Sequence, residues 1–319
     1  MSTAFQMLAW FSDEHIEFPP YVAAFKEMEF LLKQFRETGI AQHLMVVGES
    51  GAGKTTLCES FASRYPRFSL PEADVLPVLR VSVPSSATVA AVAESMLQIL
   101  GDPGFNLGKV PAKTKRIITL MHGMKVEMLL IDEAQEIYDR GQIKTHYQVG
   151  NWLKEVIDGA RVPTVLLGLP RTERLLQIND QLRRRFSRRR NLQLGQDPDM
   201  SIETECLQMF VSLGTTLPLR ISNGEYSWDE LGTRIYYACD ARIGYVKKLL
   251  VGAIRVATDR SLEEINPKVL EEAFTLEVWW EGKGALNPFN AQFIFRKLDR
   301  ANEPFEIILP DARRASGRR

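Results

Sequence analysis

Cysteine and histidine are scarce in this chain, three and four in 319 residues, and that scarcity removes two classes of site. Cys58, Cys206 and Cys239 are scattered and odd in number. They form neither a disulfide framework nor a thiolate metal pattern, and read as reduced, small core residues. His15, His43, His122 and His146 fall into no metal-ligand spacing. Net charge is missing too, because 40 Lys and Arg balance 40 Asp and Glu. Bulk electrostatics therefore argue neither for nor against a nucleic-acid partner, and any basic surface has to be local. No apolar run is long enough to span a bilayer, and no charged-then-apolar leader opens the chain. There is no internal repeat and no low-complexity block. These absences predict a soluble, cytoplasmic protein with no membrane partner, long enough for one large domain or two smaller ones.

What is present centres on residues 45–56. The apolar run Met45-Val46-Val47 ends in Gly48-Glu49-Ser50-Gly51-Ala52-Gly53-Lys54-Thr55-Thr56, and a helical pattern follows from Thr55. This is a P-loop in its strand–loop–helix context. Glycines let backbone amides approach phosphates that a side chain would block. Lys54 is expected to reach the β and γ phosphates of ATP, and the Thr55 hydroxyl to ligate Mg²⁺. The competing reading is a Gly-rich turn in a β–α connection.

Further along, Val126-Glu127-Met128-Leu129-Leu130-Ile131 reads as a strand entering Asp132-Glu133-Ala134-Gln135. That is a Walker B pattern. Asp132 is expected to hold Mg²⁺ through water, and Glu133 to polarise the attacking water. A strand running into a capped helix is the plainer alternative. Before it, Pro19-Pro20 opens a helix, His43 to Val47 is a strand, Thr55 to about Arg64 a helix, and Val75 to Val83 a second strand. Thr88 to Leu100 is an amphipathic helix, and Asp102 to Pro111 a loop carrying Lys109. After it, Val162 to Leu167 is a strand. The run Gln181-Leu182-Arg183-Arg184-Arg185-Phe186-Ser187-Arg188-Arg189-Arg190 then precedes a short strand at Asn191 to Leu194. An arginine directly before a phenylalanine at this place suits an arginine finger given to a neighbouring subunit's phosphate. Arg185 is the first candidate and Arg184 the second, against a plain solvated face. Arg188 to Arg190 have DNA phosphates or an interface as alternative partners.

From Asp197 the pattern is helical only, at Ile202–Leu213, Trp228–Tyr237, Ile243–Thr258 and Pro267–Phe274. Residues 277–319 carry Trp279-Trp280, Asn287-Pro288-Phe289-Asn290 and Phe293-Ile294-Phe295, and end in the basic stretch Ala312 to Arg319. They read either as a partly disordered extension with docking aromatics or as a strap on their own helices. The predicted division is 1–41, an N-terminal segment and helix; 42–195, an α/β nucleotide-binding domain; 196–276, a helical lid; and 277–319, the extension.

The extra strand between P-loop and Walker B, the glutamate after the aspartate, and the helical region after the arginines follow the plan of an AAA+ ATPase. The expected fold is an α/β parallel sheet flanked by helices, with the P-loop at the carboxyl ends of its strands. In ATPases of this kind the end of the strand at 162–167 carries a polar sensor. Gly168 and Leu169 have no side chain to serve, and Thr164 lies too early, so the sensor is missing, displaced or supplied by backbone.

More narrowly, Gly48 to Thr55, Val126 to Ala134, Val165-Leu166-Leu167-Gly168, Gln181 to Phe186 and Ile243-Gly244 resemble the TniB/TnsC family. These are AAA+ regulators of DNA transposition, and the resemblance covers roughly residues 20 to 275. It implies Lys54 and Thr55 for nucleotide and Mg²⁺, Asp132 and Glu133 for Mg²⁺ and hydrolysis, and Arg185 as the trans-acting finger. It further implies an ATP-dependent homo-oligomer, a ring or filament, on double-stranded DNA, with a transposase and a target-selector protein as partners. The family grips phosphates between the second strand and Walker B. The candidates there are Lys109, Lys113, Lys115 and Arg116, with Thr88 a polar addition. Near Gly244, Lys247, Lys248 and Arg242 compete for a second sensor. The alternative function is a helicase-loader or secretion-type ATPase acting mainly on a protein. A nucleotide-gated scaffold without hydrolysis is the third, and Glu133 argues against it.

Overall fold

The computed structural model describes residues 11, 17–140, 143–217 and 219–307. The expectations for the segment before Pro19, apart from Phe11, Glu17 and Phe18, and for the basic stretch 312–319 lie outside the described residues. The chain divides into two compact units, one of residues 19–192 and one of 193 onward together with the residues before 19.

In the first unit, α1 (Pro19–Thr38) buries Tyr21, Ala24, Phe25, Met28, Leu31 and Leu32, spaced three and four apart on one face. β1 (Leu44–Val47) leads through the Gly-rich loop to α2 (Lys54–Ser63). A two-residue hairpin, β2 (Phe68–Ser69) and β3 (Asp74–Val75), precedes β4 (Val78–Ser82). The single strand expected over 75–83 is thus broken. Pro77 has no N–H for a ladder, and its carbonyl instead accepts from Glu127 and Met128 at 2.8 and 3.1 Å. Next come α3 (Val89–Ile99), α4 (Val110–Gly123), β5 (Met128–Asp132), α5 (Gln135–Arg140) and α6 (Ile143–Ala160). The unit closes with β6 (Thr164–Gly168), α7 (Glu173–Ile178), α8 (Asp180–Arg185) and β7 (Arg188–Asn191).

Five strands form one parallel sheet in the order β4-β5-β6-β1-β7. Every residue of β1, β5 and β6 is buried, as expected when helices cover both faces and each strand is a continuous apolar run. Fully burying one such Leu or Val contributes roughly 1.5–3 kcal/mol. The edge strand β7 differs: all four of its residues, Arg-Arg-Arg-Asn, are exposed. The expected strand began at Asn191. Pairing instead starts at Arg188, opposite Leu44. Alternation then sends Arg188 and Arg190 to one face, where both reach Glu27 of α1 at 2.6 and 2.7 Å, while Arg189 reaches Glu173 at 3.2 Å. The arginines hold the covering helices and charge the sheet edge, which discourages stray strand pairing.

In the second unit, α9 (Ile202–Gly214), α10 (Trp228–Cys239), α11 (Ile243–Asp259) and α12 (Pro267–Ala273) form the helical part, with a short parallel pair β8 (Arg220–Ile221) and β9 (Glu264–Ile265). Ser201, Ser227 and Asn266 cap α9, α10 and α12 by accepting backbone N–H bonds. Residues 279–307 run along these helices as a strap. Arg234 is buried beneath it, donating to the carbonyls of Pro288 (2.6 Å) and Asn290 (3.0 Å), paired with Glu230, and stacked 4.0 Å from the Tyr226 ring centroid. Phe293 meets Tyr237 and Phe305 meets Tyr245. The fully buried Asn287 donates to the carbonyls of Glu271 and Gly282. Among the described residues, no helix is long and apolar enough to cross a membrane.

Candidate nucleotide site

Because the sheet is parallel, the loops after β1, β5 and β6 emerge along one edge. The loop after β1 keeps its shape only with glycine. Gly51 and Gly53 take φ of 82° and 88°, a left-handed region that costs other residues roughly 1–2 kcal/mol. A Cβ on Gly48 would lie 2.9 Å from that of Ala52 and 3.2 Å from that of Leu192. Gly53 precedes α2 without a side-chain cap, so the first-turn N–H groups are left for an anion. Lys54 is buried and donates from Nζ to the carbonyls of Gly48 (2.9 Å) and Glu49 (3.0 Å). Its ammonium is thereby held over the loop. Thr55 and Ser50 are exposed, and Glu49 and Thr56 half-buried. This cradle fits a triphosphate.

Two strands away, Asp132 ends β5, only 1% exposed. One carboxylate oxygen, Oδ1, accepts the Glu133 N–H at 2.9 Å; the other faces Arg80 Nη2 at 3.9 Å. Arg80 pairs more closely with Glu59, at 2.9 Å. A buried carboxylate with so distant a cation fits a divalent metal ligand, with Thr55 as the second. Glu133 is half-buried and has φ of 56°, which turns the chain sharply off the strand. Gln135, 4% exposed, donates from Nε2 to Glu133 Oε2 and accepts the Leu169 N–H at 3.1 Å. Cys58 sits in α2 near this cluster. Burial first, and Asp132 second, push its thiol well above the usual range, so it stays protonated and inert.

Thr164 lies at the far end of β6 from this edge, its N–H bonded to His43 Nδ1 at 3.1 Å. The strand end is Gly168, and it has no room for a side chain. A Cβ there would stand 2.3 Å from Thr172 Oγ1 and 3.0 Å from Gln135 Oε1.

The arginine segment separates the finger candidates by their partners within the chain. Arg185 is tied to its own chain, donating to both oxygens of Asp158 at 2.7 and 2.9 Å and to the Gln181 carbonyl at 3.0 Å. Arg183 pairs with Asp180 at 2.8 Å. Arg184 is exposed and has no carboxylate partner among the described residues.

The phosphate-gripping candidates also separate. Lys113 is buried in an ion pair with Glu94. Arg116 clips its loop, pairing with Asp102 at 2.9 Å and donating to the carbonyls of Gly104 and Leu107. Both charges are thus paired within their own unit. Thr88 is the N-cap of α3, accepting from Ala91 at 3.2 Å. Lys109 and Lys115 are exposed. In the second unit, Arg242 is held by Asp240 at 2.7 Å and Lys248 lies 5.1 Å from the Tyr245 ring centroid.

Two residues of the first unit's site escaped the sequence reading. Arg80 was legible as a lone charge within the apolar run Val78 to Ser82. Gln135 belonged to the Walker B quartet, but only the fold shows that its side chain turns inward.

A family model described as Bacterial TniB protein matches residues 7–194. No curated protein matches the sequence. Among solved structures, the ORC2 protein of Aeropyrum pernix in ADPNP-ADP complexes aligns with a TM-score of 0.57 at 13% identity, covering 83% of this chain and 70% of that one. Cdc6p from Pyrobaculum aerophilum gives 0.57 at 13%, covering 82% and 69%. The Aeropyrum pernix ORC1 protein in complex with DNA gives 0.57 at 14%, covering 81% and 65%. At such identities the likeness is one of fold, the AAA+ P-loop architecture.

Proposed function

The chain belongs to the TniB family and is an ATPase of the AAA+ fold, and on that premise we propose that it is an ATP-dependent regulator of DNA transposition. It assembles as a homo-oligomer on target duplex DNA, links a target-selecting protein to the transposase, and disassembles on hydrolysis. One observation carries the hydrolytic part: the glycine cradle with Lys54 and the Asp132–Glu133 pair lie along one edge of the sheet. The reading of DNA as ligand is supported by family membership, by a fold relative solved with DNA, and by exposed Lys109 and Lys115 at the start of α4. Three buried free cysteines agree with a reducing cytoplasm.

In this mechanism the amides of Gly51 to Lys54 and the Lys54 ammonium hold the phosphates. Thr55 and Asp132 would hold Mg²⁺, which when bound would draw charge from the phosphate oxygens. Glu133 orients the attacking water and accepts its proton. The site is completed from a neighbouring subunit, and Arg184 is the better-placed finger because Arg185 would first have to leave Asp158. Fluorescence anisotropy with labelled duplex tests the DNA reading. ATP-stimulated binding of little sequence preference is the expected result. No stimulation across several protein concentrations at low salt overturns it in favour of a protein ligand.

A further inference from the structure

Gln135 is buried and bonded to two groups, the Leu169 N–H and the Glu133 carboxylate. The Leu169 N–H can only donate, so the Gln135 atom 3.1 Å from it is the carbonyl oxygen Oε1. The amide NH₂ is then forced to face Glu133, whose carboxylate oxygen Oε2 accepts from it. The orientation of the carboxamide is therefore set by the backbone and not by choice of rotamer. Residue 168 cannot share the task. It ends β6, and the space a side chain would need is filled by Thr172 Oγ1 and by Gln135 itself. Glu133 in turn sits on a left-handed turn, φ 56°, a backbone conformation that persists only where the surrounding structure holds it.

We propose that Gln135 is the positioning residue of the hydrolytic site. Its carboxamide couples the Glu133 carboxylate to the end of β6, and movement of that strand end aims or releases the carboxylate through Gln135. The proposal rests on the reading of Glu133 as the group that activates water.

The test uses the full chain with Mg²⁺, ATP and duplex DNA. Gln135→Leu removes both hydrogen bonds at similar size. Gln135→Glu keeps the length but sets a second carboxylate against Glu133. Both variants are expected to bind a slowly hydrolysed ATP analogue within about twofold of the parent, with KM unchanged and kcat lower by roughly tenfold or more. In single-turnover measurements Gln135→Leu adds nothing to Glu133→Gln, because groups acting as one unit are not additive. An unchanged kcat, a parallel loss of nucleotide affinity, or an additive loss on Glu133→Gln overturns the proposal. If thermal unfolding shows that Gln135→Leu does not fold, Gln135→Glu decides on its own. Failure of the underlying reading looks different: Glu133→Gln alone would then hydrolyse ATP like the parent.

Discussion

Lys54 already donates two of its three hydrogens to the loop that it closes, so its Ala variant loses a loop contact as well as a phosphate contact. Lys54→Ala is expected to abolish ATP binding and, with it, assembly, as read by equilibrium nucleotide binding and light scattering. Glu133→Gln separates the steps. It should bind ATP and assemble while hydrolysis falls by a factor on the order of 10² or more. The arginines give a second contrast. Arg184→Ala is expected to leave the melting temperature unchanged and to lower hydrolysis only in the assembled state. Arg185→Ala breaks the partly exposed pair with Asp158 and should cost about 1 kcal/mol or less of stability. If Arg185→Ala abolishes assembled-state hydrolysis while Arg184→Ala does not, the assignment reverses.

His43 offers a pH-dependent prediction at the same scale. It accepts the Thr164 N–H and lies 5.4 Å from the Phe186 ring. Burial first, then the Arg185 charge, lowers its pKa to about 4 from an ordinary 6.5, with Asp158 opposing. The unfolded chain therefore takes up this proton before the folded one as pH falls. The His43 contribution is intact above pH 6.5 and is lost as pH drops toward 4, by about 3 kcal/mol in total. Denaturant unfolding of His43→Gln should show a flatter pH dependence across that window. An equally steep one would remove His43 as the cause.

At the level of elements, the end of β6 is where packing and chemistry meet. Gly168→Ala places a methyl group 2.3 Å from Thr172 Oγ1 and beside the Gln135 backbone. Overpacking of this kind costs roughly 1–3 kcal/mol, so a lower melting temperature is expected, together with slower hydrolysis as Gln135 shifts. The same edge shows what elements conceal from sequence. The ten-residue stretch from Gln181 to Arg190 is one block of charge by composition. In the fold it ends a helix and forms an edge strand, and its arginines go to Asp180, Asp158, Glu27 and Glu173. Among the described residues, Arg184 of this segment is left to solvent without a carboxylate. Likewise, the aromatic residues after Val278 read by composition either as docking groups or as a strap, and Phe293 and Phe305 meet Tyr237 and Tyr245 of their own unit.

For the whole molecule, zero net charge makes the proposed DNA binding a matter of placement. Two of the five phosphate candidates, Lys109 and Lys115, are exposed and have no ion pair among the described residues. Lys109→Ala and Lys115→Ala should each weaken duplex binding without changing sequence preference, and reduce the salt slope by about one per subunit engaged. Lys113→Ala should instead lower stability, since it strands Glu94. Titrations over a salt series distinguish the two outcomes.

The motifs were readable because backbone chemistry fixes them locally. A phosphate cradle needs glycine at Gly48, Gly51 and Gly53, and a buried strand needs an apolar run such as Met128 to Ile131. Those requirements act within a few residues, so the sequence by itself determined the parallel α/β fold, the P-loop and the Asp132–Glu133 pair. Pairing between distant residues is another matter. Whether Lys113 meets solvent or Glu94, whether Arg185 is free or held by Asp158, and whether Gln135 turns toward Glu133 depend on which helices and strand ends the sheet brings together. Charge alone carries no address. The tertiary structure decided those partners, because a long polar side chain goes to whichever opposite group or backbone donor the packing has left unsatisfied nearby.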